Sequence, residues 1–227
     1  MRKGVAVMLA LSALVPVGCD DERSEHHEND DEETIEVALA AAVRVEAEGC
    51  RTKASIGAGS FVGDEQVLTV AHVVAGSEQV HVILADGSRV AATVVAMDRD
   101  KDLAVLHVER EITPLPRATM RPGTRGTFVV YRDDAAVASP FEAITFVDID
   151  MPTIDHDGSS LRRGYQIRAD VVKGDSGSVL VTDGVATGMI FARSTATDGK
   201  AWAVDITEAD ALLADADESP VDVGECT

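Results

Sequence analysis

The chain has 227 residues, 45% of them hydrophobic and only 4% aromatic, with a formal net charge of −20 at pH 7. That length suits one domain of two small lobes with a sizeable core. The charge argues against nucleic acid and against an anionic membrane surface as partners, because both repel so acidic a chain.

Residues 1–19 read as an export signal. Met1-Arg2-Lys3 is basic, and the apolar stretch from Gly4 to Val17 is too short to span a bilayer. It ends at Val15-Pro16-Val17-Gly18-Cys19, which is similar to a lipoprotein signal with Cys19 available for lipidation. Pro16 stands where an aliphatic residue is usual, and an ordinary cleaved signal with an incidental cysteine is the alternative. Residues 20–36 are dominated by Asp and Glu, with no hydrophobic residue until Ile35. Such a segment buries too little surface to offset its ordering entropy, which predicts a disordered, solvated tether. His26-His27 within it read as linker residues, since a metal site needs a scaffold that fixes its geometry.

Ala38 to Ala42 is helix-prone, and Val43-Arg44-Val45-Glu46 alternates as a half-buried strand does. Strand-like runs follow at Ala54–Val62, Val67–Ala71, Gln79–Leu84, Arg89–Met97 and Leu103–Val108, with a hairpin signal at Asp86-Gly87. Together they predict a small antiparallel barrel over about residues 40–112. Pro114, Pro116, Pro122, Gly123 and Gly126 mark a linker between two lobes. A second barrel is expected over about 124–205, from strands at Thr127–Tyr131, Phe141–Ile149, Tyr165–Arg168, Ser178–Thr182, Val185–Arg193 and Ala201–Val204. Asp183-Gly184 is its tight hairpin, and the polar stretch Asp155–Gly164 predicts a mobile loop. Ile206, Ala209, Leu212 and Leu213 have helical spacing, which predicts a terminal helix over about 206–216. The fold expected is all-β: two barrels with a site between them.

Chemistry concentrates at Lys173-Gly174-Asp175-Ser176-Gly177-Ser178, backed by the apolar run Val179-Leu180-Val181. A serine becomes nucleophilic only when a base takes its proton and donors stabilise the oxyanion. Glycines on either side allow the sharp turn that would expose Ser176 and converge the amides of Gly174 and Ser176. The motif alone is weak, because loops of Gly, Asp and Ser are common turns. A base and an orienting acid exist elsewhere. His72 lies in Leu68-Thr69-Val70-Ala71-His72-Val73-Val74, and Asp102 opens Leu103-Ala104-Val105-Leu106. His81, His107 and His156 are rival bases, Asp100 a rival acid, and Ser160 and Ser178 rival serines.

The segments Gly57-Ala58-Gly59-Ser60-Phe61-Val62, Thr69-Val70-Ala71-His72-Val73-Val74, Asp102-Leu103-Ala104-Val105-Leu106 and Gly174-Asp175-Ser176-Gly177 carry a resemblance. In order and spacing the chain resembles the trypsin-like serine proteases of the HtrA-like branch, and within it the MarP-type extracytoplasmic acid-resistance proteases. The likeness runs from about Val43 to Cys226. Ser178 departs from the second glycine usual after the nucleophile, and Val179 from the Pro or Ala frequent there. The residues after the terminal helix are too few for the PDZ domain that many members carry.

The resemblance implies a chymotrypsin-like double β-barrel, with a protease domain over 37–227. It implies a serine endopeptidase, exported to the periplasm or cell surface and acting on a polypeptide substrate, without metal or organic cofactor. Membrane contact would come only through a lipid anchor on Cys19. Ser176 would attack, His72 carry the proton, Asp102 hold the imidazole, and the Gly174 and Ser176 amides bind the oxyanion. MarP-type domains are closed by a disulfide. If lipid takes Cys19, the pair Cys50 and Cys226 remains for one in an oxidising compartment. Asp170 lies six residues before Ser176, where trypsin carries the acid of its primary pocket. Against a basic preference, HtrA-like enzymes favour small or medium apolar residues and Arg168 is close enough in sequence to neutralise Asp170, so an apolar pocket is expected. The alternatives are a protease-like binding module without turnover, with Ser178 distorting the oxyanion loop, and an acyl or ester hydrolase using the same triad.

Overall fold

The computed structural model describes residues 32–132 and 135–226. The export signal, Cys19 and residues 20–31 of the expected tether lie outside the described residues. Residues 32–36, expected in the tether, belong instead to a helix (α1) over residues 32–41. The reason is local: Ala38 to Ala41 are strong helix formers, and the glutamates ahead of them suit a helix amino end. Ala38 and Ala41 pack into the core while Glu32, Glu33 and Glu36 face solvent.

The first barrel consists of β1 (Ala42–Glu48), β2 (Ser55–Gly63), β3 (Gln66–Thr69), β4 (Gln79–Ile83), β5 (Arg89–Asp98) and β6 (Leu103–His107). It closes antiparallel in the order β1-β2-β3-β6-β5-β4. A single helical turn, α2 (Ala71–Val74), leaves β3. The second barrel holds β7 (Arg125–Arg132), β8 (Ala135–Pro152), β9 (Ser159–Ala169), β10 (Val179–Thr182), β11 (Val185–Arg193) and β12 (Lys200–Asp205), closed as β10-β11-β12-β9-β8-β7. Asp183 and Gly184 both adopt positive φ, 50° and 72°, as a two-residue hairpin turn of the twisted kind requires. In β10, Leu180 packs inside the second barrel with Phe128, Tyr165 and Ile190. Val179 and Val181 point the other way, into the cluster that holds the first barrel's core. A strand covered on both faces reads as the unbroken apolar run seen in the sequence.

The stretch Asp155–Gly164, expected to be a mobile loop, is mostly strand. Pairing between β8 and β9 continues out to Pro152 opposite Ser159, which leaves only residues 153–158 as the connection. The polar residues alternate along β9, and the members that turn inward, Arg162 and Gly164, are buried. A charged residue at an inward position hid the period-2 pattern. The long hairpin reaches the turn between β5 and β6. There the Ile154 amide donates to the Arg99 carbonyl at 3.3 Å, and Arg99 Nε donates to Asp155 at 2.7 Å.

The chain ends in a 3-10 turn (Ile206–Ala209) and a short helix, α3 (Asp210–Asp215). Asp205 starts the turn by accepting the Thr207 amide at 3.0 Å. The tail then returns to the first barrel. Val221 donates to the Val94 carbonyl at 3.0 Å, Gly76 donates to Val223 at 3.0 Å, and a disulfide joins Cys50 to Cys226, with Cα atoms 5.3 Å apart.

Candidate active site

Asp102 lies in the turn that opens β6, at φ +59°, a left-handed conformation that Asp tolerates better than most residues. Its carboxylate is buried and holds His72 twice. Oδ1 accepts the His72 backbone amide at 2.8 Å, and Oδ2 lies 2.8 Å from ring Nδ1. The Asp102 carbonyl also accepts the Ala71 amide at 3.2 Å, so one residue fixes both the start of α2 and the plane of the imidazole. With an ionised carboxylate as acceptor, Nδ1 is the nitrogen that carries the proton, which leaves Nε2 as the basic atom.

Ser176 is set by its glycines. Gly174 and Gly177 adopt φ of +102° and +93°. A Cβ on Gly177 would lie 2.0 Å from the Ala58 carbonyl oxygen, so only glycine lets this turn dock on β2. The dock is a hydrogen bond between barrels: the Ala58 amide donates to the Ser176 carbonyl at 2.8 Å. Gly57 is pinched in the same place, where a Cβ would meet the Val73 side chain at 2.7 Å and the Ser176 carbonyl at 3.0 Å. The Ser176 carbonyl and the side chain of Val73, the neighbour of His72, thus both close on Gly57. Among the described residues no hydrogen bond joins the His72 ring to Ser176 Oγ. Such contacts commonly tighten only around a bound substrate.

The amides of this loop divide into two sets. Asp175 donates to Val172 at 3.2 Å, Gly177 to Ile190 at 2.7 Å, and Ser178 to Asp175 at 3.0 Å. Among the described residues the amides of Gly174 and Ser176 find no acceptor, which leaves two donors beside the serine. Asp175 is buried and accepts Arg132 Nη1 at 2.6 Å, Arg132 Nη2 at 2.8 Å and the Val172 amide at 2.8 Å. That hydrogen bonding in turn holds the Arg132 guanidinium above its ordinary ionisation range. Ser178 does not enter the loop. Its hydroxyl donates to the Val129 carbonyl at 2.8 Å, inside the second barrel.

Asp170, the first residue after β9, is exposed. Arg168, expected to neutralise it, turns away and pairs with Glu142 at 2.5 Å. The two residues flank Ala169, and Glu142 lies directly opposite Arg168 across the β8–β9 pair, so sheet register wins over sequence proximity. Among the rivals, Asp100 bonds to the site through its carbonyl, His81 and His107 lie on β4 and β6, His156 in the β8–β9 connection, and Ser160 on β9.

Two cations at this site escaped the sequence reading. Arg132 ends β7 and carries no motif. Arg162 sat in the stretch read as loop, and only the alternation of β9 could have shown that it faces inward. Its side chain is 3% exposed, and its Nη1 lies 3.9 Å from Asp102 Oδ2.

Against this geometry stand the comparisons. A model of the trypsin-like peptidase domain matches residues 57–189. The serine protease Rv3671c of Mycobacterium tuberculosis is 34% identical over 141 residues, covering 60% of this chain and 35% of that protein. A probable periplasmic serine endoprotease, DegP-like, of Halomonas elongata is 34% identical over 88 residues, 38% of this chain and 18% of that protein. The chain therefore spans about a third or less of the length of these curated relatives. The crystal structure of the Rv3671c protease from M. tuberculosis in its active form superposes with a TM-score of 0.77 at 28% identity, covering 98% of this chain and 99% of that one. The site residues fall within or beside the matched segment, and the chain belongs to the family of trypsin-like peptidase domains.

Proposed function

We propose that the chain is an exported serine endopeptidase that cuts polypeptides through an acyl-enzyme. The observation that carries this reading is the double hold of Asp102 on His72, with the Ser176 carbonyl docked on β2 beside Gly57, which also faces Val73 of the helical turn that carries His72. Ser176 Oγ attacks the scissile carbonyl and gives its proton to His72 Nε2. The oxyanion so formed takes the two unpaired amides of Gly174 and Ser176. His72 then returns the proton to the leaving amine, and water repeats the sequence to free the acid product.

Membership of the peptidase family supports peptide-bond hydrolysis, and likeness to a structure described as an active form supports a competent loop. The inward hydroxyl of Ser178 speaks against the distortion on which a reading without turnover rests. Export, and a lipid on Cys19, rest on the leading segment and on a relative described as probably periplasmic. Among the described residues, no helix is long and apolar enough to cross a membrane.

The test is labelling of the purified protein with a fluorophosphonate, alongside casein hydrolysis. The wild-type chain labels and cleaves. Ser176→Ala keeps its circular dichroism spectrum, loses the label and loses about 10⁴-fold or more in turnover, because triad members act as a unit. Casein cleavage by Ser176→Ala at the wild-type rate defeats the assignment.

A further inference from the structure

Burying a guanidinium is costly unless a charge and hydrogen-bond acceptors meet it. Arg162 lies on β9, in the second barrel, and its partners come from both barrels. Nη2 donates to the Asp100 carbonyl at 3.1 Å and to the Pro152 carbonyl at 3.3 Å. The guanidinium carbon lies 5.1 Å from the centroid of the Phe191 ring on β11. Among the described residues the one carboxylate in ion-pair range is Asp102, at 3.9 Å from Nη1 to Oδ2. That is too long for a hydrogen bond but close for two charges that are only 3% and 6% exposed. The same Oδ2 faces His72 Nδ1 at 2.8 Å, so an imidazole and a guanidinium share one carboxylate oxygen.

We propose that Arg162 is a positioning residue for the reacting pair, holding Asp102 ionised and offsetting part of its charge, so that His72 serves as a base to lower pH than Asp102 alone would permit. The inference rests on the triad reading above. Its logic is electrostatic. A protonated imidazole gains from facing a bare carboxylate, and gains less when a second cation already shares it.

The other charges around the pair are accounted for. On the β5–β6 turn Asp98 accepts the Lys101 amide, Arg99 pairs with Asp155 of the hairpin, and Lys101 pairs with Glu208 of the 3-10 turn. Glu208 also takes Arg163, the neighbour of Arg162 on β9. Arg99 thus has Asp155, Lys101 and Arg163 share Glu208, and Arg162 is the cation left to Asp102. Burial pulls the ionisation of Arg162 below its ordinary range, and Asp102, Asp98 and Asp100 pull it back, so it remains charged at any pH where His72 titrates.

The experiment reads the rate of inactivation by a fluorophosphonate against pH. Ser176 Oγ displaces fluoride from phosphorus and its proton passes to His72, so the acidic limb reports the base without needing the natural substrate. The proteins are the wild-type chain, Arg162→Met, Arg162→Gln and Arg162→Lys. In both neutral variants the limb moves to higher pH by about one unit, the displacement that a unit charge produces over several ångströms at protein-like dielectric. The limb of Arg162→Lys stays near that of the wild type. If Arg162→Met fails to fold, Arg162→Gln, which can still donate to the Asp100 and Pro152 carbonyls, carries the comparison. Neutral variants whose rates only scale down, with the limb unmoved, overturn the inference and leave the triad standing. A wild-type protein that neither labels nor cleaves casein overturns both.

Discussion

Arg132 and Asp175 face each other through both nitrogens and both oxygens, at 2.6 and 2.8 Å, directly beneath the serine turn. Because Asp175 also accepts the Val172 amide, the pair fixes the stretch whose free amides lie at Gly174 and Ser176. Replacing Arg132 by Ala leaves a buried carboxylate without its cation. We expect a loss of about 2 kcal/mol of stability, less than for a fully buried pair because Arg132 is part-exposed. Turnover should fall up to about 100-fold with little change in KM, as when one oxyanion donor is misplaced. Steady-state kinetics on a peptide ester, with urea unfolding alongside, checks both, and Arg132→Lys should recover part of the loss.

The two glycines flanking Asp175-Ser176 differ in a way that substitution will expose. A Cβ on Gly174 meets nothing within 4 Å, whereas one on Gly177 strikes the Ala58 carbonyl at 2.0 Å. Gly174→Ala should therefore cost only the strain of its positive φ, roughly 1–2 kcal/mol. Gly177→Ala must part the turn from β2, and should cost about 3 kcal/mol or more together with nearly all labelling by a fluorophosphonate. Thermal unfolding of the two variants ranks them, and equal losses would show that the docking contact is dispensable.

Glu208 lies 2.9 Å from both Lys101 Nζ and Arg163 Nε. Burial works to raise its pKa, but the hydrogen bonds and charges of Lys101 and Arg163 outweigh it and hold the carboxyl below its ordinary range. A carboxyl depressed in the folded state adds stability above its unfolded value, and that stability is lost as pH falls through the folded one. Glu208→Gln should thus lower stability by about 1 kcal/mol at pH 7. The gap between variant and wild type should close below about pH 4. Melting curves at pH 7 and at low pH are the check.

The Cys50–Cys226 disulfide closes a loop of 176 positions and clamps a tail held otherwise by a few backbone contacts. Cys50→Ser with Cys226→Ser should lose about 5 kcal/mol, on the chain-entropy account. Residues 221–224 should then exchange their amide hydrogens faster than the barrels do. Equal melting temperatures with and without a reductant would show that the bond adds nothing.

Much of this molecule is written in short-range pattern. Apolar alternation marks most strands, Asp86-Gly87 and Asp183-Gly184 mark hairpins, and the order of His72, Asp102 and Ser176 marks the site, because each depends on neighbours within a few residues. The helix of residues 32–41 was half legible: its alanines show in the sequence, and its acidic first turns read as tether because composition alone cannot say where a helix begins.

What the sequence could not supply is which charges meet. Arg162 comes to lie 3.9 Å from Asp102 because the two barrels dock, and Arg132 grips Asp175 because the second barrel closes with β7 beside the serine turn. The stretch Asp155–Gly164 carries so many polar residues that it imitates a loop. Its alternation becomes meaningful once the first barrel's β5–β6 turn is there to receive the inward arginine. Local sequence thus determined the strands, the turns and the nucleophile's glycines, since backbone preference and hydrophobic period act over a few residues. Tertiary structure alone decided the cations behind the acid and beneath the serine, since Coulomb pairing acts through space and takes no account of distance along the chain.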